Sequence, residues 1–270
     1  MAQHDKTPAE LPIEAGQTVD PNEPDVITVE RWDTPEENDT RILTMPNVPY
    51  PCHLLAPRTL LGSSTWNAMR KSCYVTANYT CEVCGEQPSN TRAIHAHEVY
   101  TIDYATQTVK FERCVCLCKK THIQSIHTGR ALTMYKKGSP LMTKEMLLEG
   151  AEHAYSLVHK WNLEHPDEEP LRLFSAWLDY EKQPELKDKM VELRTKYDIK
   201  FYRVSEKWYR KKYWSNWKLV IGNREYPTPY ADKNAWEEAM TKNNERRQPE
   251  INNPFTGGVY DEVDKILKEL

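Results

Sequence analysis

Cys81 and Cys84 frame a C-x-x-C that is followed at once by Gly85. Thiolates are soft ligands, and this spacing closed by glycine is the turn that presents two of them to one zinc ion. Further along come Cys114, Cys116 and Cys118, then His122 and His127. A structural zinc needs four Cys or His ligands in a tetrahedron, usually supplied as two close pairs. Cys118 and His122 stand at turn spacing and make the favoured second pair. Cys116 is the alternative, although side chains on one face of a strand lie about 6.5 Å apart per step, which disfavours it. Thr121 follows Cys118 at the position where a second C-x-x-C would have its cysteine. A neutral hydroxyl is a poor structural zinc ligand, so Thr121 is set aside. Simple burial of the cysteines without metal is the remaining reading.

These residues need elements to hold them. "SSTWNAMRKSCYVTAN" has an apolar face with Ser63 or Ser64 as N-cap, and predicts a helix leading into the cysteine turn. "AIHAHEVYTI" and "TVKFERCVCL" alternate around "DYATQ", which predicts a β-hairpin. "KKTHIQSIHTGRA" reads as a short helix stopped by Gly129. "TKEMLLEGAEHAYSLVHKWNLEH" carries a long apolar stripe and predicts a helix. His153, His159 and His165 recur at spacing six, which does not share a helix face, so they read as surface or interface histidines. "LRLFSAWLDYEK" and "PELKDKMVELRTKY" predict two more helices, and "IKFYRV" a strand. "WKLVIGNREYP" predicts a hairpin turning at Gly222-Asn223. "DKNAWEEAMTKNNERR" and "DEVDKILKEL" close the chain as helices.

With 270 residues, 39% hydrophobic and 28% charged, the chain can build a sizeable soluble core. There is no apolar run long enough to span a membrane and no secretory leader pattern, so a cytoplasmic setting without membrane contact is expected. The seven cysteines then argue for metal rather than disulfides. The net charge of −4 hides an asymmetry. Residues 1–45 carry eleven acids against three bases, whereas residues 186–224 carry twelve bases against four acids. Within "FYRVSEKWYRKKYWSNWKLV", Arg203, Lys207, Arg210, Lys211 and Lys212 are interleaved with aromatic rings. Cations neutralise phosphate and rings stack on bases, so this composition suits nucleic acid. A half-buried element whose rings are core explains the same pattern.

The order of these pieces resembles the HNH, or ββα-metal, endonucleases, in the form common in phages and bacteria. The resemblance rests on "WNAMR", "CEVCG", "HAHEVY" and "LCKKTHIQSIHTGRA", and spans about 57–135. It implies an α+β fold, with a zinc-stapled ββα-metal module at 46–138. An acidic arm at 1–45 without fixed structure would precede the module. A mainly helical α+β part with a small β-hairpin would follow at 139–240, then a C-terminal tail at 241–270. It implies structural zinc at Cys81, Cys84, Cys118 and His122. It further implies a second divalent metal, such as magnesium or manganese, at the catalytic side. There His97 would be the general base that activates water, His127 would help hold the metal, and Glu98 or Glu112 would supply an acid. Three departures stand out: Thr121 replaces the expected cysteine, Ala96 precedes His97, and neither Glu112 nor Arg113 is the family's asparagine. The implied function is a metal-dependent nuclease of phage or mobile-element origin, acting on DNA rather than RNA. The alternative is an inactive descendant that binds nucleic acid or a host protein.

Overall fold

The computed structural model describes residues 26–36, 39–89 and 93–252. Strands β1 (Val26–Val29) and β2 (Arg31–Trp32) come first, then the single turn α1 (Pro57–Leu60) and the helix α2 (Ser63–Thr76). After the cysteine turn, β3 (Ile94–Asp103) and β4 (Thr108–Cys118) pair antiparallel as the long hairpin expected. A π-helical segment, Lys120–Ile126, leads directly into α3 (Thr128–Lys136). The long helix α4 (Lys144–Glu164) follows, then β5 (Leu173–Phe174), the turn α5 (Leu178–Glu181) and α6 (Pro184–Lys196). Strand β6 (Phe201–Val204), the turn α7 (Lys211–Trp214), the hairpin β7 (Lys218–Ile221) and β8 (Arg224–Pro227), and α8 (Lys233–Asn252) complete the described residues.

Among the described residues the fold is mixed α+β with two sheets. One has the order β2-β3-β4-β7-β8, with β7 running parallel to β4 beside the hairpin turn, where Thr108–Phe111 faces Lys218–Ile221. The other, β1-β6-β5, is wholly parallel. Val99 pairs with Arg113 while Tyr100 pairs with Phe111, so Glu112 is the extra residue of a bulge. Thr143 caps α4 by accepting a hydrogen bond from the Met146 amide at 3.3 Å. The buried stripe of α4, Leu147, Ala151, Ala154, Tyr155 and Val158, packs with Met190 and Leu193 of α6. Leu43, Ala131 and Leu132 belong to the same core, so segments on both sides of residue 138 share it.

Several expectations change. Residues 26–45, read as part of an unstructured arm, contain β1, β2 and a 3-10 turn with Ile42 and Leu43 buried. The acidic composition hid a short apolar pattern that finds partners far along the chain, Val26 opposite Phe201 and Trp32 opposite Ile102. Residues 1–25 and the expected helix "DEVDKILKEL" lie outside the described residues. Gly129 does not stop a helix: α3 runs through it, and the chain turns at Gly138, where φ is +67°. "LRLFSAWLDYEK" is helical only from Ser175, as a 3-10 turn running into α5, because Leu173 and Phe174 are taken up by β6. Among the described residues no helix is long and apolar enough to cross a membrane.

One close approach fixes the relation of α4 to the candidate metal ligands. Gly150 lies against the backbone of Gln124 in the π-helical segment, and a Cβ there would sit 2.5 Å from the Gln124 carbonyl oxygen and 2.8 Å from its carbon. The Ser125 hydroxyl seals the contact by donating to the Gly150 carbonyl at 3.1 Å. Gly150→Ala is therefore expected to destabilise the protein by about 1–3 kcal/mol, the usual cost of overpacking. Urea denaturation should show a lower midpoint at unchanged slope. An unchanged midpoint would mean that the two segments are not held this tightly.

Candidate metal centres

The cysteine turn is built by backbone hydrogen bonds. The Cys81 amide donates to the Glu86 carbonyl and the Gly85 amide to the Cys81 carbonyl, each at 2.8 Å, with Gly85 at φ +72°. The Glu82 amide donates to the Cys116 carbonyl at 2.9 Å, which fastens the turn to β4. Cys118, the last residue of β4, thereby meets the turn. The sulfurs of Cys81, Cys84 and Cys118 lie within 4.8 Å of one another and can hold a metal ion. Cys84 and Cys118 are 3.7 Å apart, close to the roughly 3.8 Å edge of a tetrahedron with metal–sulfur bonds of about 2.3 Å. Hydrogen bonds from Cys118 and Cys84 hold the Cys81 thiol well below its ordinary range, favouring the thiolate that a metal requires. Cys116 lies outside the group; its amide donates instead to the Glu82 carboxylate. All seven cysteines are free.

His122 is not at this cluster. It joins His97 and His127 in a second group whose ring nitrogens lie within 4.8 Å of one another and can also hold a metal ion. The cause is local. In an α-helix, residues five apart are about 140° apart around the axis. The segment Lys120–Ile126 is π-helical, and the His127 amide donates to the His122 carbonyl five residues back at 3.2 Å. This wide turn brings the two rings together on one side, edge to face at 79°, with their Nε2 atoms 3.1 Å apart. Such turns recur at functional sites. His97 enters from β3, with ring centroids 5.1 Å from His122 and 4.9 Å from His127. His95 stacks on His122 at 5.0 Å.

His97 is buried, and neither of its ring nitrogens has a hydrogen-bond partner; His122 Nδ1 is likewise unpartnered. Burial and the neighbouring imidazole of His127 push the proton affinity of His97 well below its ordinary value. Burial, then the surrounding imidazoles, does the same to His122. His127 falls to about 4, through burial and then the charge of Arg130, with smaller contributions from His95 and Arg58. The rings are thus neutral near pH 7, the form that ligates metal.

Glu98 is not part of either group. Alternation turns it to the other face of β3, where burial, and then the charge of Glu98, raises the proton affinity of the Cys114 thiol, and where burial raises that of Glu98 itself against the opposing charge of Arg58. The bulge carries Glu112 into an ion pair with Lys110 at 2.9 Å, and Arg113 reaches the Pro35 carbonyl. His153, read as a surface or interface histidine, lies at the contact of α4 with the π-helical segment, beside the thiol cluster, with its Nε2 2.9 Å from the Thr121 hydroxyl. Its signal in the sequence was Gly150 one turn earlier on the same helix face.

The basic segment lies elsewhere. Trp208, Trp214 and Trp217 are buried, and Tyr209 stacks on Trp217, so these rings are core rather than stacking platforms. Lys207 pairs with Glu30 at 2.7 Å and lies over the Trp208 ring. Arg203, Arg210, Lys211 and Lys212 are exposed. This surface adjoins the turn end of the β3–β4 hairpin through β7, whereas both metal groups lie at its open end.

No protein-family model, curated protein or solved structure matches the chain at a significant level. The metal groups therefore stand on geometry and ligand chemistry alone.

A pH dependence follows for the metal-free protein. The buried histidines bind protons more weakly folded than unfolded, so the stability they contribute is fully present above the unfolded value near 6.5. It is lost as pH falls toward about 4, the value for His127, at up to about 1.4 kcal/mol per pH unit for each ring. Denaturant midpoints measured from pH 7.5 to pH 4 should drop through this window. His127→Gln should flatten the slope, and an equal slope in both proteins would exclude His127 as the cause.

Proposed function

We propose that the protein is a metal-dependent nuclease whose reacting centre is His97, His122 and His127, with zinc at the thiol cluster holding the surrounding fold together. The observation that carries this reading is the convergence of three neutral imidazoles, with both nitrogens of His97 buried and unpartnered. Buried polar atoms without partners are costly, and a cation satisfies them. The order is also that of the resembling nucleases: a hairpin, then a helix, with one histidine on the first strand and two on the helix. An all-imidazole set favours zinc or nickel over magnesium or manganese, which prefer oxygen ligands. Such an ion supplies a Lewis acid and a bound water of lowered pKa. In this reading His97 is a ligand rather than the general base assigned from sequence. His95, stacked on His122, is the nearest imidazole outside the set. The charges of Arg58 and Arg130, both felt at His127, suit a phosphodiester anion.

A second reading is favoured by a specific observation. His97 is only 3% exposed, and a closed centre suits a structural ion better than one that must admit a phosphodiester. On that reading the protein binds nucleic acid or a host protein without cleaving. A supercoiled-plasmid nicking assay with zinc, nickel, manganese and magnesium separates the two. Metal-dependent nicking that His97→Ala abolishes, with the zinc of the thiol cluster retained, supports the nuclease. No cleavage of single- or double-stranded DNA or RNA with any of these ions leaves the binding reading.

Cleavage and nucleic-acid binding without cleavage both place phosphate on the basic surface. Reversing Arg210, Lys211 and Lys212 to Glu should weaken duplex binding. In the parent protein log affinity should fall with log salt, by about 0.9 per phosphate contacted. A flat salt dependence would remove this surface from the account.

A further inference from the structure

The thiol cluster supplies three ligands, and a tetrahedral zinc takes four. The Thr121 hydroxyl stands beside all three sulfurs. Thr121 Oγ1 lies 3.3 Å from the Cys118 sulfur, 3.6 Å from Cys81 and 3.7 Å from Cys84. Metal–sulfur bonds of about 2.3 Å and a metal–oxygen bond of about 2.0 Å at a tetrahedral angle require sulfur–oxygen separations of about 3.5 Å. The three observed distances bracket that value. Thr121 is fully buried, and its amide donates to the Cys118 sulfur at 3.4 Å, which fixes the backbone beneath the side chain. His153 Nε2 lies on the outer side of the hydroxyl at 2.9 Å.

We propose that Thr121 is the fourth ligand of the zinc at Cys81, Cys84 and Cys118, with His153 as the outer-shell acceptor that turns the Thr121 oxygen toward the metal. The inference rests on the zinc reading given above. A hydroxyl whose proton is donated to an imidazole keeps its lone pairs for the ion, and an outer-shell acceptor raises the basicity of its ligand. Three thiolates and a neutral hydroxyl leave the site with one net negative charge, as three thiolates and an imidazole would. His122 is not a competitor, because the π-helical turn commits it to His127. The close contact of Gly150 with Gln124 sets His153, one turn along α4, over Thr121. The site is therefore one thiolate weaker than a four-cysteine centre, and its hold on zinc depends on a helix outside the cysteine turns.

The test uses the full-length protein. Zinc affinity is measured by chelator competition, with the cobalt–thiolate charge-transfer band isolating the cysteine site from the histidine centre. Thr121→Val is expected to lose more than about a hundredfold in affinity, beyond the 10–100-fold typical of an outer-shell change, and His153→Ala to lose about 10–100-fold. Thr121→Ser should restore the parent value, and Thr121→Cys should bind at least about tenfold more tightly than the parent, as a soft thiolate replaces a hydroxyl. Cadmium-113 NMR with nitrogen-15 histidine should show no metal–nitrogen coupling at the thiolate-bound ion. A coupling to His153, or parent affinity in Thr121→Val, overturns the assignment. If zinc content is unaffected by Cys84→Ser, the zinc reading itself fails, which is a distinct result.

Discussion

The half of the fold that carries the candidate metal ligands depends on how closely two backbones approach. A glycine at position 150 lets α4 rest on the carbonyl of Gln124, and every side chain larger than hydrogen would hold the helix off. From that contact the neighbouring positions follow. Three residues along α4, His153 reaches Thr121. On the π-helical side, the Ser125 hydroxyl bridges the Lys120 and Gly150 carbonyls. This anchors the segment that carries His122 and leads into His127. The helix thus braces two separate groups of ligands through one contact with no side chain on its own side.

The two groups also divide the faces of the hairpin. Alternation places His95, His97, Val115 and Leu117 on one face and Glu98, Cys114, Cys116 and Cys118 on the other. The cysteine-turn face is closed by α2, whose Tyr74 hydroxyl accepts the Ala96 amide at 3.1 Å. The histidine face is closed by the π-helical segment. The thiol cluster escapes this separation because Cys118 is the last residue of its strand, at the edge where both coverings meet.

Much of this was legible in the sequence. The alternating apolar pattern gave the hairpin, the apolar stripe gave α4, and Gly222-Asn223 gave the small second hairpin. Cys81, Cys84 and Cys118 could be picked out because C-x-x-C-G is a local motif whose turn is set by its own backbone. His122 went to the wrong cluster because it stands at turn spacing from Cys118, and nothing in "KKTHIQSIHTGRA" announces the π turn that brings it to His127 instead. Thr121 was discarded on ligand preference, which says nothing about where the oxygen lies. His153 was set aside because its spacing was compared with other histidines rather than with the glycine that places it. The aromatic residues of the basic segment could not be divided between core and surface without knowing that β7 would dock parallel to β4.

The parallel pairing of β1 with β6 has a consequence for the order in which the molecule assembles. Val26 finds its partner only at Phe201, so this sheet cannot form until most of the chain exists. Contacts so distant in sequence form slowly. Every residue of the two ligand groups, together with Thr121 and His153, lies between Cys81 and His153. A chain emerging from the ribosome therefore exposes its complete ligand set before β6 has been made. An ion held by these residues would therefore be captured before closure of the second sheet, as an early organiser of the hairpin and α4 rather than a late addition to a finished fold.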